Sequence, residues 1–92
     1  MNKKIGFIGC GNMGSAMIKG IVKSNLVDSK NIMASDYFLE KLQVMKDEIG
    51  ILITNNNNEV AEFADVLFLS VKPNMYKAVI DEIKDKVKKE TI

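Results

Sequence analysis

The chain has 92 residues, with 13 basic and 12 acidic side chains and a net charge of +1. That length gives one domain with one modest core, burying about 60 to 70% of the unfolded surface; 47% hydrophobic and 27% charged residues are ordinary for a soluble globular domain. The near-balanced charge argues against a protein built to grip nucleic acid or an anionic membrane surface, and the lack of histidine excludes a His-based triad, proton shuttle or imidazole metal site within the chain.

One cysteine, Cys10, excludes an intrachain disulfide framework and a cysteine-rich zinc site. It fits a reducing, cytoplasmic setting. No apolar run approaches the roughly 18 residues needed to span a bilayer. Lys3 and Lys4 before IGFIGCGNMG have the outline of a secretory signal, but glycines dilute the apolar region and Lys19 interrupts its continuation.

In chain order, Lys4 to Ile8 is a β-branched and aromatic run that stops at Gly9 and reads as a buried first strand. A helix is predicted from Asn12 to about Ser24, with Met13, Ala16, Met17 and Ile21 spaced along one face. Asn31 to Ser35 reads as a second strand. Phe38, Leu42, Met45 and Ile49 recur every three or four residues and predict an amphipathic helix over 38–48, stopped by Gly50. Ile51 to Thr54 is a third strand, and the asparagines at 55–58 are a turn and helix-cap signal. Glu59 to Ala64 reads as a short helical turn. Val66 to Ser70 (VLFLS) reads as a continuously apolar fourth strand. Pro73 suits a first helical turn, and Tyr76, Val79, Ile80, Ile83 and Val87 make one apolar stripe beyond it.

This alternation predicts a Rossmann-like α/β fold: a parallel sheet of order 3-2-1-4, right-handed crossovers and helices on both faces. The third and fourth strands look apolar on both faces, as buried parallel strands do. The sequence stops at Thr91-Ile92, where a further strand is expected, so residues 1–92 read as a truncated dinucleotide-binding domain. Truncation would leave VLFLS as an exposed edge inviting pairing with another chain.

Gly9, Gly11 and Gly14 form G-x-G-x-x-G between a predicted strand and a predicted helix. Gly9 permits a tight turn, Gly11 lets backbone approach a pyrophosphate, and Gly14 lets helix pack on strand. Free N–H groups near Asn12 and Met13 would face the phosphates with the positive end of the helix dipole, worth about 0.3–1 kcal/mol when exposed. The alternative is a glycine-rich turn with no ligand. A ribose reader is expected about 20 residues on, where Ser35 and Asp36 close the second strand. A carboxylate there accepts both hydrogen bonds of a ribose diol and repels a 2′-phosphate, by about 1 kcal/mol at 4 Å in water and about 4 at an effective dielectric of 20. The nearest downstream cation is Lys41, so the pattern leans towards NADH over NADPH. Asp36 could instead, or also, cap the following helix. The fourth strand ends in Ser70-Val71-Lys72-Pro73, beside the switch point of a 3-2-1-4 sheet, where ligands bind. On spacing alone, a plain surface lysine before a proline-started helix is the better reading of Lys72.

FIGCGNMGSAMIKG (Phe7 to Gly20), NIMASD (Asn31 to Asp36) and ADVLFLSVKP (Ala64 to Pro73) closely resemble the amino-terminal domain of pyrroline-5-carboxylate reductase. The resemblance covers essentially the whole chain but about the first third of a family member. It implies reduction of Δ1-pyrroline-5-carboxylate to L-proline with NADPH or NADH. It further implies a substrate pocket and homo-oligomer contacts in a carboxy-terminal helical domain. By the same match, Gly9, Cys10, Gly11, Asn12, Met13 and Gly14 hold the dinucleotide phosphates, and Asn57, within a run of four asparagines, touches the adenosine end. Ser70, Val71, Lys72 and Pro73 flank the nicotinamide ribose and pyrophosphate. Asp36 departs from members that bind NADPH well, which often carry a serine or another neutral residue there. Rival readings are a 3-hydroxyacid dehydrogenase, a deazaflavin-dependent NADP reductase, and a non-catalytic nucleotide-sensing or assembly module. The remaining features read as structural. Cys10 is a small loop residue, Met13, Met17, Met33, Met45 and Met75 are packing, and Lys84, Lys86, Lys88 and Lys89 form a solvated helix face. No metal site is expected.

Overall fold

Four short β-branched and aromatic runs pair as one parallel sheet: β1 (Ile5–Ile8), β2 (Ile32–Ser35), β3 (Leu52–Thr54) and β4 (Val66–Leu69), in the order β3-β2-β1-β4. This computed structural model describes residues 3–9, 12–36 and 39–87, and of Asn12 and Met13 the backbone only. β1 lies between its two neighbours, with Phe7 opposite Ala34 on β2 and Phe68 on β4. The Phe7 and Phe68 rings stack with centroids 5.0 Å apart, a geometry worth about 0.5–1.5 kcal/mol beyond the buried area. Among the described residues three helices fill the crossovers, α1 (Asn12–Lys23), α2 (Leu39–Ile49) and α3 (Asn57–Phe63), and α4 (Tyr76–Ile83) follows β4. Single 3-10 turns stand at Ser29–Asn31 and Pro73–Met75. The order 3-2-1-4 and the helices on both faces are as the sequence predicts.

Alternation along the strands divides the interior in two. Ile5 and Phe7 point to one face, where Ile32, Ala34 and Ile51 meet Ile18 of α1 and Leu42 and Met45 of α2. Ile8 points to the other, against Val60 and Ala61 of α3 and Val79 and Ile83 of α4. The first core has nine buried members and the second five, so the α3–α4 side is the thinner layer. α3 seats closely because Gly6 has no side chain: a Cβ there would lie 2.6 Å from Val60 Cγ1 and 2.8 Å from Ala64 Cβ.

Several expectations need correcting. The buried face of α1 is Gly14 and Ile18, with Ile21 and Val22 packed beside them; Ala16 is exposed and Met17 is 36% exposed. The Met-Ala stripe looked like the core face because glycine carries no hydrophobic signal, yet Gly14 is the residue that faces inward. Met17 is therefore not packing, whereas Met45 is buried and Met33 packs on the second core. β3 and β4 are not buried on both faces. They are the outer strands of the sheet, so Leu52 is 37% exposed and every residue of β4 is only half-buried. On α4, Val79 and Ile83 are buried and Val87 packs beside them, but Tyr76 and Ile80 face solvent. α3 starts two residues before the expected turn because Asn56 caps it, its side chain accepting from the Asn58 N–H at 2.9 Å. Gly50 ends α2 as expected, with φ +78° and its N–H donating to Lys46 O at 2.8 Å. Lys84 and Lys86 are exposed but lie in the turn beyond the end of α4 rather than on a helix face, and Lys86 pairs with Glu62 at 3.8 Å, a surface contact of little energetic weight. Phe38, Lys88 and Lys89 lie outside the described residues. Among those described, no helix is long and apolar enough to cross a membrane.

Two pairs of substitutions test this packing. Gly6→Ala is expected to destabilise the chain by about 1–3 kcal/mol through overpacking against α3. Gly20→Ala, where a Cβ would meet nothing within 4 Å, is expected to be neutral or stabilising by up to about 1 kcal/mol; urea unfolding reads both. By the same measurement Ile18→Ala is expected to cost about 2–5 kcal/mol and Met17→Ala under about 1 kcal/mol, the reverse of what the sequence stripe implies.

Candidate functional site

Where the parallel strands end, β1 parts from both neighbours. The Gly9 N–H donates to Ser35 O at 2.9 Å and the Ser70 N–H to Ile8 O at 2.8 Å, so the last rungs of the ladder fix three loops side by side. Gly9 turns the chain out of β1 with φ +81°, a conformation that side chains rarely adopt. A Cβ at Gly9 would also fall 2.7 Å from Val71 Cγ1 and 2.9 Å from Ser70 O. The bend is closed to any other residue by geometry and by space.

A cleft of about 280 Å³ opens beyond this bend. Gly9, Asp36, Asn57, Ser70, Val71 and Lys72 are among the residues that line it. Asp36 is half-buried and Lys72 exposed; they are the acid and the base among the described lining residues. Ile8, Met75 and Val79 supply apolar wall. The arrangement is a crevice outside the carboxyl ends of strands at the point where the strand order reverses, where open α/β sheets bind ligands.

Behind the cleft runs a chain of side-chain hydrogen bonds. Ser35, fully buried at the end of β2, donates its hydroxyl to Asn57 Oδ1 at 2.6 Å. Asn57 Nδ2 donates in turn to Glu82 Oε1 on α4 at 3.0 Å. The asparagine run divides its labour: Asn56 caps α3, while Asn55 and Asn57 line the cleft.

Of the positions singled out in the sequence, Gly9, Asp36, Asn57, Ser70, Val71 and Lys72 are thus brought together around one cleft, with Ser35 one hydrogen bond behind it. Gly14 is buried beside the same loops, 3.3 Å from a Cβ position to Ser70 Oγ and 3.5 Å to Gly9 O. Its close neighbour is therefore the loop after β4 rather than a strand. Pro73 is exposed, begins the 3-10 turn before α4 and is not among the lining residues. Cys10 and Gly11 lie outside the described residues, as do the side chains of Asn12 and Met13, which begin α1. The capping alternative for Asp36 turns on residues 37 and 38, also outside the description. Sequence reasoning missed Asn55, Met75, Val79 and Glu82. Asn55 had a signal in the asparagine run, but Glu82 had none, because its partner lies on another helix. Among the described residues no cluster of acids or cysteine suits a metal ion.

Comparison with known proteins agrees with this architecture. The chain is 36% identical over 91 residues to the pyrroline-5-carboxylate reductase of Methanosarcina acetivorans, covering 99% of this chain and 34% of that protein. Among solved structures it superposes on a pyrroline-5-carboxylate reductase from Coxiella burnetii with TM-score 0.88 and 35% identity, covering 97% of this chain and 33% of that one. It also matches the Plasmodium falciparum pyrroline carboxylate reductase with NADP bound at TM-score 0.77 and 29% identity, covering 92% and 30% respectively. The chain therefore spans about a third of the length of these relatives. Residues 4–92 match, nearly end to end, the family described as NADP oxidoreductase, coenzyme F420-dependent, and with the sheet order and the crevice in agreement, the chain belongs to that family.

Proposed function

We propose that this chain is the dinucleotide-binding part of a pyrroline-5-carboxylate reductase, holding NADH or NADPH for the reduction of 1-pyrroline-5-carboxylate to L-proline. The observation that carries the reading is the bend at Gly9, which has φ +81° and room for no Cβ beside Val71 and Ser70, and which lines the cleft together with Ser70, Val71 and Lys72. Such a bend lets a phosphate approach the main chain closely. The residues present fit the group: Gly9, Gly11 and Gly14 with the start of α1 at Asn12 and Met13 would take the pyrophosphate. Ser70, Val71 and Lys72 would flank the nicotinamide side. Asp36, with Ser35 and Asn57, would take the adenosine side.

When bound, the dinucleotide supplies the hydride. The protein's part is to hold two reactants in register and keep water out. A protonated imine is already electrophilic, so no general acid is required from a chain that has no histidine. Lys72, exposed at the mouth, would offer a point charge to the phosphates. Asp36 would accept from a ribose diol and oppose a 2′-phosphate, favouring NADH. The part of the longer relatives not spanned here would supply the substrate pocket and the homo-oligomer contacts. A deazaflavin-dependent NADP reductase has the family's own description in its favour, but the 36% identical relative and the best-superposing structure quoted above both carry the pyrroline-5-carboxylate reductase name.

Calorimetric titration tests the reading. NADH is expected to bind more tightly than NADPH, and Asp36→Ser to narrow the gap by roughly tenfold, the factor equivalent to about 1.4 kcal/mol. Binding of neither dinucleotide would overturn it. The chain as given is also expected to form no proline from 1-pyrroline-5-carboxylate and NADH, since nothing in it is assigned to the substrate. Proline formation, followed by chromatography, would show that the catalytic site is complete within these 92 residues.

A further inference from the structure

The hydrogen-bond chain behind the cleft has a fixed direction, and the direction comes from its last member. An ionised carboxylate only accepts. The end of the Asn57 amide that meets Glu82 Oε1 at 3.0 Å must therefore be Nδ2, and Oδ1 must face Ser35, whose hydroxyl donates at 2.6 Å. Ser35 is fully buried, so its one proton is committed to Asn57. What remains for the cleft is one N–H of Asn57 and one lone pair of Oδ1, a donor and an acceptor on a half-buried residue that lines the wall. That pair suits a hydroxyl group, which both donates and accepts. α4 can deliver the carboxylate because Val79 and Ile83, on either side of Glu82 in the helix, are both buried in the second core.

We propose that Glu82 is a positioning residue: through its hydrogen bond it locks the Asn57 amide in one orientation, so that Asn57 presents a fixed donor–acceptor pair to a ribose hydroxyl in the cleft. This rests on the dinucleotide reading given above. Without Glu82 the amide is free to turn over, Ser35 is free to donate elsewhere, and the hydroxyl meets a partner that must first be ordered. Glu82 itself need not touch the ligand. Its effect passes wholly through Asn57, which separates it from a carboxylate acting by charge at a distance.

The test uses the chain with Glu82→Ala, Glu82→Gln and Asn57→Ala, each with an unfolding midpoint measured alongside. In the ligand-free protein, the Asn57 side-chain N–H bonded to Glu82, assigned by the loss of the amide pair in Asn57→Ala, is expected to exchange with solvent more slowly in the wild type than the N–H left facing the cleft. It should lose that protection in Glu82→Ala and keep it in Glu82→Gln, which retains an acceptor oxygen without the charge. With NADH as the probe, Glu82→Ala is expected to weaken binding about 3- to 10-fold at an unchanged midpoint. Glu82→Gln should restore most of the affinity, and Glu82→Ala should have no further effect in the Asn57→Ala background. Equal protection in wild type and Glu82→Ala, a loss in Glu82→Gln as large as in Glu82→Ala, or additive losses with Asn57→Ala would each overturn the proposal. Should the wild type bind neither NADH nor NADPH, the functional reading falls by itself, and the amide resonances still decide whether Glu82 orients Asn57.

Discussion

The structure turns on β1 being held from both sides until its last residue and released immediately afterwards. The bonds from Gly9 N–H to Ser35 O and from Ser70 N–H to Ile8 O close the sheet on either flank of that strand. Beyond them the connections go to opposite faces, because the helix after β1 packs in one core and the helices around β4 in the other. Right-handed crossovers make that divergence unavoidable for this strand order. The cleft is therefore a consequence of topology, and the side chains around it only refine what it admits. A glycine at the bend is what lets the loop after β4 come so close, since a Cβ there would lie 2.7 Å from Val71 Cγ1 and 2.9 Å from Ser70 O.

Much of this was legible in the sequence, for a physical reason. Alternating strand and helix signals at short spacing leave few arrangements for so short a chain, and the glycine spacing between a strand and a helix marks the switch point. The departures share one cause, which is that hydrophobicity is a poor guide to depth in this fold. Met17 and Ala16 are apolar but turned outward, while Gly14 and Gly6, which carry no side chain at all, mark places where side chains of a neighbouring element press against the main chain. VLFLS is apolar throughout, yet its position at the edge of the sheet leaves each residue half-covered.

The candidate site was half readable. Gly9, Asp36 and the Ser70-Val71-Lys72 loop each sit next to a recognisable strand end, so a local signal exists for every one of them. Asn57 was singled out by resemblance, and the geometry explains how four consecutive asparagines take different tasks. One is a cap, two face the cleft, and the partner of Asn57 is a glutamate on a helix that the sequence places among ordinary surface charges. Nothing local distinguishes Glu82 from Glu62 or Glu59. Only the packing of Val79 and Ile83 decides which acid meets the amide.

The unequal depth of the two cores bears on how the cleft is reached. Asn57 and Val79, two of its walls, belong to α3 and α4, which rest on the thinner layer. The opposite face is anchored by the larger cluster around Phe7, Ile32 and Leu42. Partial opening is cheapest where the fewest apolar groups must be exposed. The α3–α4 side is thus the flank of the cleft with the least apolar surface to expose, and the face around Phe7 the flank that resists opening most.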